Sequence, residues 1–208
     1  MRLIEASLLK RQAPNWLLFG TTLIELGLLY RLTPTFTLTD WIYVSMNGLV
    51  LIIALVRRPA RQRDDSIATG VALFVSYTYA YAQVALLGRF PGHVASPALG
   101  LPLVSLGASL SLASLLSLGK HFGIRPALRG VTDRGLYRLV RHPLYLSYMI
   151  ADIGYNLQEW SPATLALVAA GWASLVYRIH VEERVLSHDD AWLAYAARVR
   201  HRLVPGVW

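Results

Sequence analysis

Six apolar runs alternate with polar connections along the chain, near residues 14–30, 36–56, 67–87, 97–118, 143–157 and 163–179. A bilayer core of about 30 Å takes about 20 helical residues. The second, third and fourth runs have that length and predict full spans. The fifth, Pro143 to Leu157, is short and polar; it predicts a helix that is tilted or packed inside a bundle. The first is broken by Glu25 and lacks the small-residue cleavage signal of a secretory leader, so it reads as a span. Ser105, Ser109, Ser111 and Ser114 lie in the fourth run, where small residues let helices approach closely.

Composition sharpens this picture. The chain has 208 residues, of which 55% are apolar and only 15% charged, whereas a soluble domain carries about 25% charged residues. That balance excludes a disordered chain and an ordinary soluble enzyme. The absence of Cys excludes a thiol nucleophile, an iron–sulfur cluster and a disulfide scaffold.

The net charge of +8 has a topological explanation. Eighteen of the 20 basic residues fall in the N-terminal segment, the 57–66 and 119–142 connections, and the segment after the last span. These are alternate sides of a six-span chain. The positive-inside rule then places both termini in the cytoplasm, with no need for a nucleic-acid partner. Eighteen of the basic residues are Arg and two are Lys; with the compact size, this points to a bacterial inner membrane. The expected fold is an all-α integral membrane protein of about six transmembrane helices and a C-terminal amphipathic cytoplasmic helix. Residues 1–208 form a single membrane domain. Residues 1–118 are scaffold and substrate entrance, and 119–208 hold the chemistry.

The second half holds five of the six His and most of the Arg. Arg141 and His142 precede Pro143 at the start of the fifth helix, where Pro fits the first turn. The free N–H groups and positive dipole end there suit an anion, and so do Arg141 and His142. The bland alternative is that both side chains snorkel to lipid phosphates. Tyr145, Tyr148, Asp152 and Tyr155 follow i, i+3, i+7, i+10 spacing and share a face about 80° wide. A polar stripe inside a span faces a bundle or cavity. Tyr rings there suit a cation, with Asp152 adding negative charge; inter-helix hydrogen bonding is the competing role. Arg178, His180, Glu182, Glu183 and Arg184 continue the sixth helix out of the membrane. Arg178 at i, i+4 is expected to occupy Glu182, with His180 at i, i+3 from Glu183. That favours Glu183 as the carboxylate facing the site, although spacing alone also allows the two to be swapped. From Asp190 onward, Trp192, Tyr195 and Val199 make an apolar stripe of a helix expected to end at Pro205. It either lies in the interface plane or closes a cytosolic pocket. Glu25 is assigned a structural hydrogen bond. No Gly-rich phosphate loop or metal-binding helix motif is present.

The run Thr132-Asp-Arg-Gly135-Leu136-Tyr137 through Arg141-His142-Pro143-Leu-Tyr145 resembles the isoprenylcysteine carboxyl methyltransferase family and its phospholipid methyltransferase relatives. The likeness continues at Glu182-Glu183, Leu186, Tyr195, Val199 and Arg202 to Pro205. It implies an integral membrane enzyme that transfers a methyl group from S-adenosylmethionine to a lipophilic acceptor. It implies cofactor contacts from Gly135, Leu136, Tyr137, Arg141, His142, Pro143, Tyr145, Tyr148 and Tyr195. It also implies that Arg178, Glu182 and Glu183 lie near the transferred methyl. The chain departs from the family at His188-Asp189-Asp190, Trp192 and Ser147, which bears on substrate rather than cofactor. Membrane sterol reductases, which use NADPH, share an Arg-His-x-x-Tyr element, but Leu144 and Ser147 depart from their pattern. A non-catalytic membrane scaffold is the other alternative, and the intact Arg141, His142, Tyr145, Glu182 and Glu183 count against it. The acceptor is an isoprenylcysteine-like carboxylate, a lipid amine or a smaller apolar acid or thiol.

The charge alternation makes a direct prediction. Reporter fusions at the C-terminus and within residues 31–40 are expected on opposite sides of the membrane, with the C-terminus cytoplasmic. A C-terminal reporter on the outer side would mean a different number of spans.

Overall fold

The computed structural model describes residues 38–56, 60–86 and 96–208, with a few isolated helical positions between 20 and 31. Glu25 and most of the first apolar run lie outside the described residues. Six α-helices follow: α1 (Leu38–Val56), α2 (Ile67–Leu86), α3 (Pro97–Leu118), α4 (Pro143–Gln158), α5 (Pro162–Leu186) and α6 (Asp190–Arg198). Two-residue strands β1 (Gln62–Arg63) and β2 (Ala127–Leu128) pair antiparallel. Single 3₁₀ turns occupy Gly119–His121 and Gly135–Arg138.

Local chemistry explains the helix starts. Pro stands in the first turn of α3, α4 and α5, where its missing N–H has no helical partner to lose. At α5, Ser161 Oγ accepts from the Thr164 N–H at 3.2 Å, and Thr164 Oγ1 accepts from the Ser161 N–H at 2.9 Å. This reciprocal pair satisfies two orphan donors. The Asp189 carboxylate caps α6 by accepting from the Ala191 N–H at 2.8 Å.

α3 lies against α4, α2 against α5, and α1 against α3. The α3–α4 contact depends on small residues. A Cβ placed on Gly154 would sit 2.6 Å from the Val104 nitrogen and 2.7 Å from the Gly100 oxygen. A Cβ on Gly107 would meet the Ser147 oxygen at 2.7 Å. Those are backbone atoms, which no rotamer change relieves. Ser111 Oγ and Ser147 Oγ meet at 2.7 Å across the same seam. Ser147 is thus a helix-to-helix contact with a partner of its own.

The bundle turns apolar side chains outward as well as inward. Ile52, Leu55, Phe74, Leu99 and Leu116 are more than half exposed. Asn47, Thr69, Gln83 and Ser114 are buried. An apolar exterior around a partly polar interior suits a lipid surround. Among the described residues, two helical segments, Ala98–His121 and Pro162–Leu186, are long and apolar enough to cross a membrane. Shorter apolar stretches, Val44–Ile53 and Ile67–Ala80, lie in α1 and α2. α4 has only 16 residues, and it packs along α3 within the bundle.

The β1–β2 ribbon ties the 57–66 connection to the 119–142 connection, and Arg125 reinforces it with a 2.8 Å ion pair to Asp65. The chain after α6 joins the same end through hydrogen bonds to Arg141 and His142. Three basic segments therefore gather at one end of the bundle. The tail departs from expectation. Its helix stops at Arg198 rather than Pro205. The backbone then doubles back, because the carbonyls of His201 and Arg202 accept from the N–H groups of Arg141 and His142, each at 2.9 Å.

Gly154→Ala should cost about 1–3 kcal/mol through overpacking of the α3–α4 seam. A lowered thermal midpoint of the purified protein is the expected readout. Gly48→Ala, inside α1 where a new Cβ meets nothing within 4 Å, should not lower the midpoint and should raise it slightly through helix propensity.

Candidate active site

The helical run of α5 continues past Arg178 and carries two adjacent carboxylates on different faces. Glu183 is buried, at 7% exposure. Its Oε1 lies 3.0 Å from Arg141 Nη1 and 3.2 Å from His142 Nε2. Its Oε2 accepts from Arg202 Nε at 2.8 Å. One carboxylate thus binds the start of α4 and the returning tail. A buried charge with this many partners is stable only as a set, and removing one partner typically costs about 3–5 kcal/mol. The tail is held further by Trp208, whose ring lies 5.1 Å under the Arg202 guanidinium and 5.6 Å from the His180 ring.

Glu182 faces a different environment. It is half-buried, its Oε2 accepts from the Tyr145 hydroxyl at 3.0 Å, and it lines a cavity of ≈ 250 Å³. The cavity runs from Arg141, His142 and Trp192 at the ribbon end, past Arg178 and Tyr145, to Asp152 deeper in the bundle. Tyr145, Tyr148, Asp152 and Tyr155 all line it, so the polar stripe of α4 does face a cavity. The first half of the chain closes the other side with Asn47, Ser76 and Tyr79.

Neither expected ion pair of α5 forms. Arg178, 6% exposed, donates from Nη1 to Ser76 Oγ at 2.8 Å and from Nη2 to the Ile124 carbonyl at 2.9 Å. Its guanidinium also stands 5.2 Å from the Tyr145 ring centroid, a contact worth about 0.5–2 kcal/mol. His180 turns to the Val176 carbonyl and the Trp208 ring. The reason is tertiary: the Arg178 face of α5 packs into the bundle, where α2 and the 119–142 connection supply its partners. Glu182 is therefore the carboxylate on the cavity, while Glu183 fastens the tail. This reverses the expected division between them.

The other expected residues divide by position. Tyr137, Arg141, His142, Tyr145, Tyr148 and Tyr195 line the cavity. Gly135, Leu136 and Pro143, also expected as cofactor contacts, do not line it. Gly135 has φ +54°, and a Cβ there would strike Ser117 Oγ, so only Gly allows the 3₁₀ turn to pass so close to α3. Tyr195 Oη donates to the Tyr137 carbonyl at 2.8 Å. Burial raises the pKa of both phenols, so they stay neutral donors. The α6 stripe of Trp192, Tyr195 and Val199 packs on Val131 and Leu186, and Trp192 stacks near the Arg141 guanidinium at 5.8 Å. It covers the pocket. Arg202 and Trp208 were not among the expected site residues, although Arg202 belongs to the tail motif. Ser76 and Asn47 had no signal beyond being polar within apolar runs.

The residues present fit an amino-acid-bearing cofactor. Burial lowers the pKa of Arg141 while the Glu183 carboxylate raises it, and its Nε donor is buried without a partner. Arg178 Nε is likewise buried and unpartnered. Such donors are costly unless something accepts from them. Two guanidiniums with open donors, and the Glu182 carboxylate in the same cavity, suit a ligand bearing both a carboxylate and an ammonium.

Comparison with known proteins agrees with this chemistry. Residues 95–189 match the family model of phospholipid methyltransferase. The match covers α3 to α5 and stops before α6. The chain is also similar to Protein-S-isoprenylcysteine O-methyltransferase B of Arabidopsis thaliana, 26% identical over 146 residues, covering 62% of this chain and 74% of that protein. Protein-S-isoprenylcysteine O-methyltransferase A of the same plant is 24% identical over 137 residues, covering 62% of this chain and 70% of that protein. The chain is thus similar to methyltransferases of the phospholipid and isoprenylcysteine kind, as its motifs indicate.

Glu183→Gln should lower stability by about 3–5 kcal/mol, because Arg141 and Arg202 lose their shared counter-charge. The check is a fall in thermal midpoint with faster amide exchange across 199–208. Glu182→Gln should change neither.

Proposed function

We propose that the protein is an integral membrane methyltransferase that uses S-adenosylmethionine and modifies a lipophilic acceptor at the cytoplasmic membrane face. The observation that carries this reading is the cavity itself. It joins a charged end, with Arg141, Arg178 and Glu182, to a Tyr-lined interior within an outwardly apolar bundle.

S-adenosylmethionine supplies a methyl group on a sulfonium that a nucleophile can displace. Arg141, with its buried open Nε donor, suits its carboxylate. Glu182 suits its ammonium. The ring of Tyr148, which lines the cavity, suits a cationic sulfur. α6 shields the charged end from water through Trp192 and Tyr195. Methyl displacement mainly needs the reactants held in line and water excluded, which is what such a cavity provides. The membrane reading rests on the two spanning-length helices and the apolar exterior. Both termini then lie on the cytoplasmic side, the partners are membrane lipids and a lipophilic small molecule or lipid, and no nucleic acid is involved.

Calorimetric titration of the purified full chain with S-adenosylhomocysteine should show saturable binding, and titration with NADPH should show none. Glu182→Gln should weaken S-adenosylhomocysteine binding about 10- to 150-fold, the equivalent of one charge-assisted contact. Saturable NADPH binding with no homocysteine-compound binding would overturn the reading.

A further inference from the structure

Asp152 lies in α4 seven residues beyond Tyr145, about 10 Å deeper along the helix. It is 4% exposed. Its Oδ2 accepts from the Tyr79 hydroxyl of α2 at 2.9 Å and from Trp172 Nε1 of α5 at 2.8 Å. Both donors are neutral, and both use the same oxygen. No Lys, Arg or His forms an ion pair with Asp152 among the described residues. A carboxylate in a bundle interior is costly unless a cation answers it. Here every cationic side chain in the cavity stands toward the opposite, Glu182 end.

Two spaces meet at this side chain. One is the inner cavity, where Tyr79, Tyr148 and Tyr155 flank the carboxylate. The other is an almost wholly apolar groove of ≈ 490 Å³ between the outer faces of α4 and α5, lined by Ile153, Leu157, Trp160, Leu165 and Trp172 as well as Asp152. The placement is built. A Cβ on Gly171 would sit 2.5 Å from the Tyr79 ring, so only Gly at 171 lets that ring lie on α5 and bring its hydroxyl to Asp152.

We infer that Asp152 is the selectivity residue of this cavity, accepting the amine or ammonium group of a lipophilic ligand whose hydrocarbon part occupies the apolar groove. The inference deepens the methyltransferase reading and rests on it for the identity of that ligand as the acceptor. Oδ2 is held in place by Tyr79 and Trp172, so the carboxylate is fixed before the ligand arrives. The Tyr faces add cation–π attraction. An acidic acceptor is disfavoured at this position by like charge. Asp152 binds and selects; it takes no part in bond making.

The test uses the full chain in a nonionic detergent, with hexylamine, hexyltrimethylammonium and hexanoate as probes, followed by tryptophan fluorescence and ligand-observed NMR. S-adenosylmethionine and S-adenosylhomocysteine are titrated in parallel. Wild-type protein should bind both cations at least about tenfold more tightly than hexanoate. Asp152→Asn, which preserves shape and both hydrogen bonds, should abolish that preference. Asp152→Glu, which keeps the charge, should retain part of it. Thermal midpoints of both variants report folding, and the wild-type preference decides by itself if a variant does not fold. No cation preference in the wild type, or a preference unchanged in Asp152→Asn, overturns the inference. So does an Asp152→Asn variant that loses S-adenosylmethionine but keeps S-adenosylhomocysteine and hexylamine, because the cation would then be the sulfonium. Failure of wild-type protein to bind S-adenosylhomocysteine would instead sink the methyltransferase reading, and the amine titration would still report on Asp152.

Discussion

The carboxylate of Glu183 is surrounded by Arg141, His142 and Arg202, and much of the lower bundle depends on that arrangement. It joins the end of α5 to the start of α4 and to the tail at a buried point. The backbone pairing of Arg141 and His142 with His201 and Arg202 runs alongside it. With the tail docked, α6 is fixed over the cavity and Arg141 is fixed at its rim. The same acidic residue therefore sets both the lid and one wall of the site, without lining the cavity itself.

Polarity is distributed in layers along the cavity. Guanidiniums crowd the ribbon end, where Arg141 and Arg178 keep unpartnered Nε donors. Tyr rings occupy the middle, and an isolated carboxylate stands at the deep end. This charge gradient follows from the helices that build it. α4 carries its Tyr–Tyr–Asp–Tyr stripe inward, α5 brings Arg178 and Glu182, and α2 contributes Ser76 and Tyr79. The seam of Gly100, Gly107 and Gly154 draws α3 and α4 together and so keeps the α4 stripe directed away from the α3 contact.

Much of this was legible in the sequence, for identifiable reasons. Long apolar runs bounded by Pro gave the starts of α3, α4 and α5 to within a residue or so. The polar stripe of α4 from Tyr145 to Tyr155 gave its cavity face. The Arg141-His142-Pro143 element and the double Glu gave the charged end. Misreadings arose where sequence spacing was taken as a partner list. Arg178 and Glu182 are one turn apart, yet Arg178 is drawn to Ser76, more than 100 positions away. The tail helix stops early because the N–H groups of Arg202 and Leu203 donate to the Trp208 carbonyl, and the carbonyls of His201 and Arg202 accept from Arg141 and His142. Proline was the visible breaker, but the pairing partner decided. Single polar residues within apolar helices, such as Ser76 and Asn47, carry no periodic signal and become functional only through the fold.

The pairing of residue 141 with residues 183 and 202 also sets an order of assembly during synthesis. α4 meets α3 and α5 meets α2 as each emerges, since those partners are already made, whereas α1 and α2 wait for α3 and α5. Glu183 then waits with two of its three partners until Arg202 leaves the ribosome. A chain halted a few residues earlier would have every helix and an uncovered, wet pocket. Such a product would display a basic, loosely held terminus at the ribbon end of the bundle. Peptide segments of that kind are accessible to proteases, so the Arg202–Glu183 contact also shields the tail from cleavage.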